Sequence, residues 1–309
     1  DQTIRRDIFT AIATFSERAL GYRDIGGVYL GKDGYYISKK TEQDIDKFRY
    51  LENLRYVEYL SEQREEGTVL MLIPSAGTVL RDQLPAWAPF YRAESMYQAA
   101  EMICTGTQVL DIREELRQQN LQTPVFFRTD HHWTLPGAYI GYSAFCEQQD
   151  LQKHSYGFFQ PEKVTDSFYG TLYSRVLDQT VRPDSLYAAG NLPEIQKVTF
   201  DGTVQKGIYC KDKLEEKDKY GYFFGGNYGE VTIRMNSDTG RKLLVIKDSF
   251  ANSMVPFLLE NYDEVTMIDL RYYRQSVRKL LEQKADDEVL IVYEMSNFAE
   301  DANLYKLSR

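Results

Sequence analysis

The order of apolar and polar residues divides the chain into helical and extended stretches. Ile4, Ile8, Ala11, Phe15 and Leu20 recur at helical spacing and predict an amphipathic helix over residues 4–20. "GVYLGKDGYYI", from Gly27 to Ile37, reads as two short strands around a Lys-Asp-Gly turn. A more polar helix is predicted over about residues 42–65. Five apolar runs then have the pattern of buried strands: Thr68–Ile73, Pro124–Thr129, Lys242–Lys247, Glu264–Asp269 and Glu288–Tyr293. Helical patterns over about 94–119, 135–150 and 272–284 separate several of them. Short continuous apolar runs alternating with helices predict an α/β protein, a mostly parallel sheet covered on both faces. Residues 155–235 differ: Gly, Asp and Tyr with short alternating runs such as "KVTF", "GIYC" and "EVTIRM" predict an antiparallel, β-rich insertion. The organisation expected is one domain over residues 1–309 carrying that insertion.

Bulk properties narrow the partners. With 309 residues, 43% apolar and 27% charged, the composition is that of a soluble globular protein with a large core. The net charge of −9 argues against nucleic acid or an anionic membrane as the main partner, since both need clustered Lys and Arg. The mixed-sign run "LEEKDK" reads as a solvated face. Cys104, Cys146 and Cys210 are odd in number and far apart, without a C-x-x-C pair, which argues against a disulfide scaffold or zinc ribbon. No run approaches the ~20 apolar residues of a membrane helix. The chain begins at Asp1 without methionine, as a trimmed chain or one that has lost an N-terminal signal or anchor would.

Two apolar runs end in reactive-looking residues, and in α/β sheets sites lie beyond the carboxyl ends of strands. The first is "FFRTDHHWT", holding two of the three histidines. If the chain stays extended there, Asp130 and His132 share one side and His131 faces the other. An acid two residues before a histidine can fix its tautomer and orientation, the role of a triad acid. Two packed imidazoles at a helix start, or a metal site completed by His154 or a carboxylate, are the competing readings. The second is "VIKDSFANSMVPFL". Ser249, at a strand-to-helix junction, is either a helix cap or a nucleophile whose oxygen stands above the sheet. Pro256 is awkward inside a helix, so a helix start near Ser253 is expected, with 249–252 irregular. A serine nucleophile needs a base, and His132, oriented by Asp130, is the best of three histidines.

"VYLGKDGYYI", "MLIPSA", "RTDHHWT…GAY", "FYGTLYSRV" and "VIKDSFANSMVPFL…IDLRYY", in this order, resemble the bacterial DHHW protein family. That family in turn resembles the SGNH-hydrolase-like domains of alginate O-acetyltransferases. The resemblance implies an SGNH-like fold and a triad of Asp130, His132 and Ser249, with Lys247-Asp248 standing where the acetyltransferases have a G-T-S-type motif. It also implies an oxyanion held by the Ser249 N–H with Gly226, Asn227 or Asn252. Arg128, Trp133 and Arg271 are candidates for substrate contact, with structural ion pairs for the two arginines and core packing for Trp133 as the competing readings. The activity implied is extracytoplasmic O-acyl transfer, or ester hydrolysis by the same chemistry, on a cell-envelope or exported polysaccharide. A glycan-binding protein without activity is the other reading. A membrane-bound O-acyltransferase is the implied acyl donor, and no metal or organic cofactor is called for.

Overall fold

A computed structural model describes residues 2–64 and 67–308, with side chains from Arg6 onward; the expected apolar side chain of Ile4 and helix end at Glu65 lie outside what is described. Among the described residues, eight strands form one sheet in the order Thr107–Leu110, Thr68–Ile73, Glu288–Glu294, Lys242–Lys247, Glu264–Ile268, Glu230–Met235, Ile195–Phe200 and Thr203–Gln205. The first five run parallel to their neighbours and the last three pair antiparallel. Thr68–Ile73 is buried at every position, and Lys242–Lys247 and Glu288–Glu294 at all but the first, as helices on both faces require. Lys242–Lys247 lies centrally, between Glu264–Ile268 and Glu288–Glu294. Its carboxyl end delivers Lys247, Asp248 and Ser249 to one edge of the sheet.

Three features depart from the expected layout. Pro124–Thr129 is not a sheet strand. Val125, Phe126 and Phe127 are buried, but the chain folds back on itself: Thr134 N–H donates to Val125 O (2.9 Å) and Phe127 N–H to His132 O (3.2 Å). Its apolarity comes from core packing, which periodicity cannot separate from strand membership. The helix expected over 94–119 is two helices, Ala93–Ile103 and Arg113–Asn120, with the edge strand Thr107–Leu110 between them. Gly106 and the β-branched Thr105 and Thr107 disfavour helix, and the Glu58 carboxylate accepts from Gly106 N–H (2.6 Å) and both threonine hydroxyls. The β-rich insertion is partly an extension of the main sheet: Ile195–Phe200, Thr203–Gln205 and Glu230–Met235 form its antiparallel edge. Pro161–Phe168 and Asp184–Ala189 make a separate pair, and "GIYC" contributes only a bridge from Tyr209 to Phe223.

Smaller differences concern helices. The polar helix runs Lys47–Glu62, capped by Asp46, and the one expected over 272–284 is Val277–Gln283, capped by Ser276. The helix after Ser249 starts at Ala251, earlier than expected, and continues through Pro256 to Leu258. The N-terminal helix docks through the Thr14 hydroxyl on Val176 O (2.6 Å) and an Arg18–Asp178 ion pair, leaving Ile8 and Phe15 mostly exposed (54% and 73%).

Candidate active site

The turn after Lys242–Lys247 is built by Asp248. Its buried carboxylate accepts from Phe250 N–H (2.9 Å), Glu294 N–H (2.9 Å) and Asn297 Nδ2 (2.8 Å), tying the end of the central strand to its neighbour. Burial raises the Asp248 pKa, and these donors pull it back. Because Asp248 makes the turn, the Ser249 side chain caps no helix and is free to face the site. Ser249 N–H has no acceptor among the described residues.

Across the sheet edge, the tight turn of residues 127–132 presents Asp130 and His132. His132 Nε2 lies 2.7 Å from Ser249 Oγ, and its Nδ1 lies 2.6 Å from Asp130 Oδ1. Asp130 Oδ1 also accepts from His132 N–H (2.9 Å). The pairing that alternation suggested is therefore present, but a turn produces it, not the extended strand assumed. Asp130 Oδ2 is held by Thr171 through its N–H (2.7 Å) and hydroxyl (3.0 Å). Although burial opposes its charge, the adjacent imidazoles and these donors hold the Asp130 carboxyl well below the usual range.

Close approach makes this arrangement possible. A Cβ on Gly170 would stand 2.2 Å from Asp130 Cβ, and one on Gly137 only 2.4 Å from Val125 O. These glycines belong to the "FYGTLY" and "GAY" stretches, whose service to the site the sequence did not disclose. The other missed residue is Tyr220, whose ring stacks on His132 with centroids 3.8 Å apart and planes 8° apart. Its hydroxyl bonds Ser253 Oγ (3.1 Å), which also accepts from Trp133 Nε1 (2.9 Å).

The remaining candidates separate. Trp133 is fully buried, its indole N–H also on Phe250 O (3.0 Å), so of its two readings it takes the core one: it braces the site from within and does not stack on a substrate. Gly226 N–H donates to Phe223 O (3.3 Å) in a turn at φ 124°, so that N–H is already engaged within the turn. Asn227 and Asn252 do come together: Lys247 Nζ donates to Asn227 Oδ1 (3.1 Å) and Asn252 Oδ1 (2.8 Å), and Asn252 Nδ2 donates to Asn227 Oδ1 (3.3 Å). Burial pushes the Lys247 pKa down to about 8, against the pull of Asp269. Arg271 is partly exposed and held by Asp269 through Nε (2.8 Å) and Nη2 (2.6 Å), and its Nη1 has no acceptor among the described residues. Arg128 donates to Asp33 O (3.2 Å) and lines a cavity of about 660 Å³ with Phe127, Tyr139 and Asp184, a cavity that Ser249 does not line.

His131 is bonded to Thr171, with Nδ1 2.7 Å from its Oγ1; burial and the neighbouring His132 push its pKa down to about 4. Among the described residues, Asp130, His131 and His132 are the one group of three that brings possible metal-ligand atoms within 4.8 Å. Both ring nitrogens of His132 are already engaged, so a metal there would have to displace Asp130 or Ser249.

Comparison with known proteins agrees with the architecture. A DHHW protein from Eubacterium siraeum is 21% identical and superposes with a TM-score of 0.75 over 92% of this chain and 95% of its own. Bacillus cereus PatB1, solved with a sulfonyl adduct, is 23% identical, with a TM-score of 0.74 over 91% of this chain and 97% of its own. The O-acetyltransferase domain of Pseudomonas putida AlgJ is 16% identical, with a TM-score of 0.57 over 92% and 99%. No curated protein matches the chain. The fold is thus the SGNH-hydrolase-like α/β arrangement expected, with its antiparallel addition. A sequence model described as DHHW protein matches residues 92–268, from the helix before Thr107–Leu110 to the end of Glu264–Ile268, and the chain belongs to the DHHW protein family.

Proposed function

We propose that this protein transfers an O-acyl group, most simply acetyl, to a hydroxyl of a cell-envelope or exported polysaccharide through an acyl-enzyme on Ser249. The observation that carries this reading is the unbroken line from Ser249 Oγ to His132 (2.7 Å) to Asp130 (2.6 Å) at the carboxyl end of the central strand. Both distances are within reach of proton transfer.

His132 Nε2 takes the Ser249 proton as Oγ attacks the acyl carbonyl carbon. Asp130 holds the Nδ1–H tautomer and steadies the imidazolium. The oxyanion is received by the Ser249 N–H, which has no acceptor among the described residues, and by the Asn227 amide. As the tetrahedral intermediate collapses, the leaving oxygen takes the proton back from His132. A sugar hydroxyl then gives its proton to His132 and attacks the acyl carbon; the bond to Ser249 Oγ breaks and His132 returns the proton to Oγ, restoring the serine hydroxyl. Water in place of the sugar gives hydrolysis by the same steps. Arg271, whose guanidinium is held by Asp269 through Nε and Nη2, would meet a polar or anionic group of the glycan through Nη1.

The extracytoplasmic setting and a membrane-bound O-acyltransferase as donor belong to the same proposal. No helix among the described residues is long and apolar enough to cross a membrane. Likeness to an O-acetyltransferase domain, and to a protein that forms a sulfonyl adduct, supports the reading.

The test is turnover of an acetyl-ester reporter, with and without oligosaccharide acceptors, by the wild type and Ser249→Ala. Loss of turnover in Ser249→Ala, with acetyl appearing on an acceptor for the wild type, is the expected result. Release only to water makes the protein an esterase. Saturable glycan binding with no turnover makes it a binding protein of the same fold.

A further inference from the structure

Lys247 is a buried cation that acyl transfer as described does not use. It is 2% exposed and, among the described residues, has no carboxylate at hydrogen-bond distance; Asp269 Oδ2 stands 4.0 Å away and is already bound by Arg271. A buried charge without a close partner works against folding, and an apolar side chain of similar size would be cheaper there. What the ammonium does contact is the pair Asn227 Oδ1 (3.1 Å) and Asn252 Oδ1 (2.8 Å).

We propose that Lys247 is a positioning residue of the acyl-transfer site, holding the Asn227 side-chain amide so that Nδ2 is presented to the oxyanion formed at Ser249. The inference rests on the proposed function. An ammonium can only donate, so the amide atoms facing it must be oxygens, and this fixes which way each amide points. Asn227 Oδ1 accepts from Lys247 and from Asn252 Nδ2, so rotating the amide by half a turn would set its NH2 against two donors. Asn227 Nδ2 has no acceptor among the described residues, and Asn227 is exposed, so that donor is available to a ligand. Asn252 ties the assembly to the nucleophile, since its N–H donates to Ser249 O (3.2 Å). A positive charge at the carbonyl end of an amide also draws electron density from its nitrogen and makes that N–H a stronger donor.

The test compares the wild type, Ser249→Ala, Lys247→Met, Lys247→Gln, Asn227→Ala and the double variant Asn227→Ala/Lys247→Met on the acetyl-ester reporter, with melting temperatures for each. Removing an oxyanion donor lowers kcat by about 100-fold or more. Lys247→Met, which loses the orientation of such a donor, is expected to lower kcat by about 10-fold or more with KM little changed, while its melting temperature holds or rises. The double variant is expected to be no slower than Asn227→Ala alone, because Lys247 acts through Asn227. Should Lys247→Met not fold, Lys247→Gln retains a neutral donor one atom shorter, which cannot reach both oxygens, and it is expected to show the same loss of kcat. A folded Lys247 variant with wild-type kcat overturns the inference, as does a double variant whose losses multiply. If the wild type turns over and Ser249→Ala does not, that failure concerns Lys247 alone. A wild type with neither turnover nor labelling by a serine-directed probe overturns the proposed function and this inference together.

Discussion

Replacing Gly170 by alanine tests how the site is built. Gly170 has φ −87° and ψ −167°, extended backbone that alanine adopts freely, so no conformational strain accompanies the change. On backbone entropy alone, Gly→Ala at such a position stabilises by about 0.4–1 kcal/mol. The space around it gives the opposite answer. The new methyl would lie 2.2 Å from Asp130 Cβ, 2.4 Å from Oδ2 and 2.6 Å from Cγ, where carbon contacts normally begin near ~3.5 Å. Relief needs a shift of about 1 Å. Asp130 cannot swing aside, because its oxygens are held by Thr171 and His132. The methyl therefore either pushes Asp130 off His132 Nδ1 or pushes Thr171 off Asp130. Overpacking of this kind costs about 1–3 kcal/mol, and misplacement near 1 Å at a reacting group costs about 100-fold in rate. Gly170→Ala is therefore expected to melt several degrees lower and to lose kcat on the acetyl-ester reporter by about 100-fold, with labelling of Ser249 slowed in parallel. A variant that melts at or above the wild-type temperature with unchanged kcat would refute the claim that Asp130 is held by close packing.

Two further outcomes follow from the same geometry. Tyr220→Phe keeps the ring on His132 and should retain most activity, whereas Tyr220→Ala frees the imidazole and should lower kcat with little change in KM; equal activity in the two would show that the stack does not orient the base. Lys247 gives a pH signature in stability. Its folded pKa, about 8, lies below its ordinary 10.5, so between these values the unfolded chain binds more protons and folding gains as pH rises. At 1.36 kcal/mol per pH unit, the difference between these values is about 3–4 kcal/mol at most. The stability advantage of Lys247→Met measured by denaturant unfolding should accordingly shrink from pH 8 to pH 10.5, and an advantage that stays constant would contradict a strained, charged Lys247.

Much of the α/β layout was legible because fully buried parallel strands are written as continuous apolar runs; four of the five such runs are sheet strands. The fifth, Pro124–Thr129, has the same apolarity for another reason, since its side chains fill the core while its backbone pairs within its own turn. Thr107–Leu110 was hidden because an edge strand of four residues with mixed burial carries too short a pattern. Asp130, His132 and Ser249 could be picked out because histidine is scarce and each lies beyond an apolar run. Tyr220 could not, being one of 24 tyrosines and marked only by where the chain places it. The roles of Gly170 and Lys247 were hidden for the same reason: a close approach and a shared hydrogen bond are properties of distant segments brought together.

The central claim is that Ser249 carries the acyl group, and covalent mapping tests it most directly. The wild type is mixed with an activated acetyl ester, quenched in acid within the first turnover, digested and analysed by mass spectrometry. The account predicts one acetyl group on the Ser249 peptide of the wild type, absent in Ser249→Ala and accumulating in a His132 variant far more slowly. Sustained turnover with no acetyl on Ser249, or with acetyl on another residue in both proteins, would contradict it.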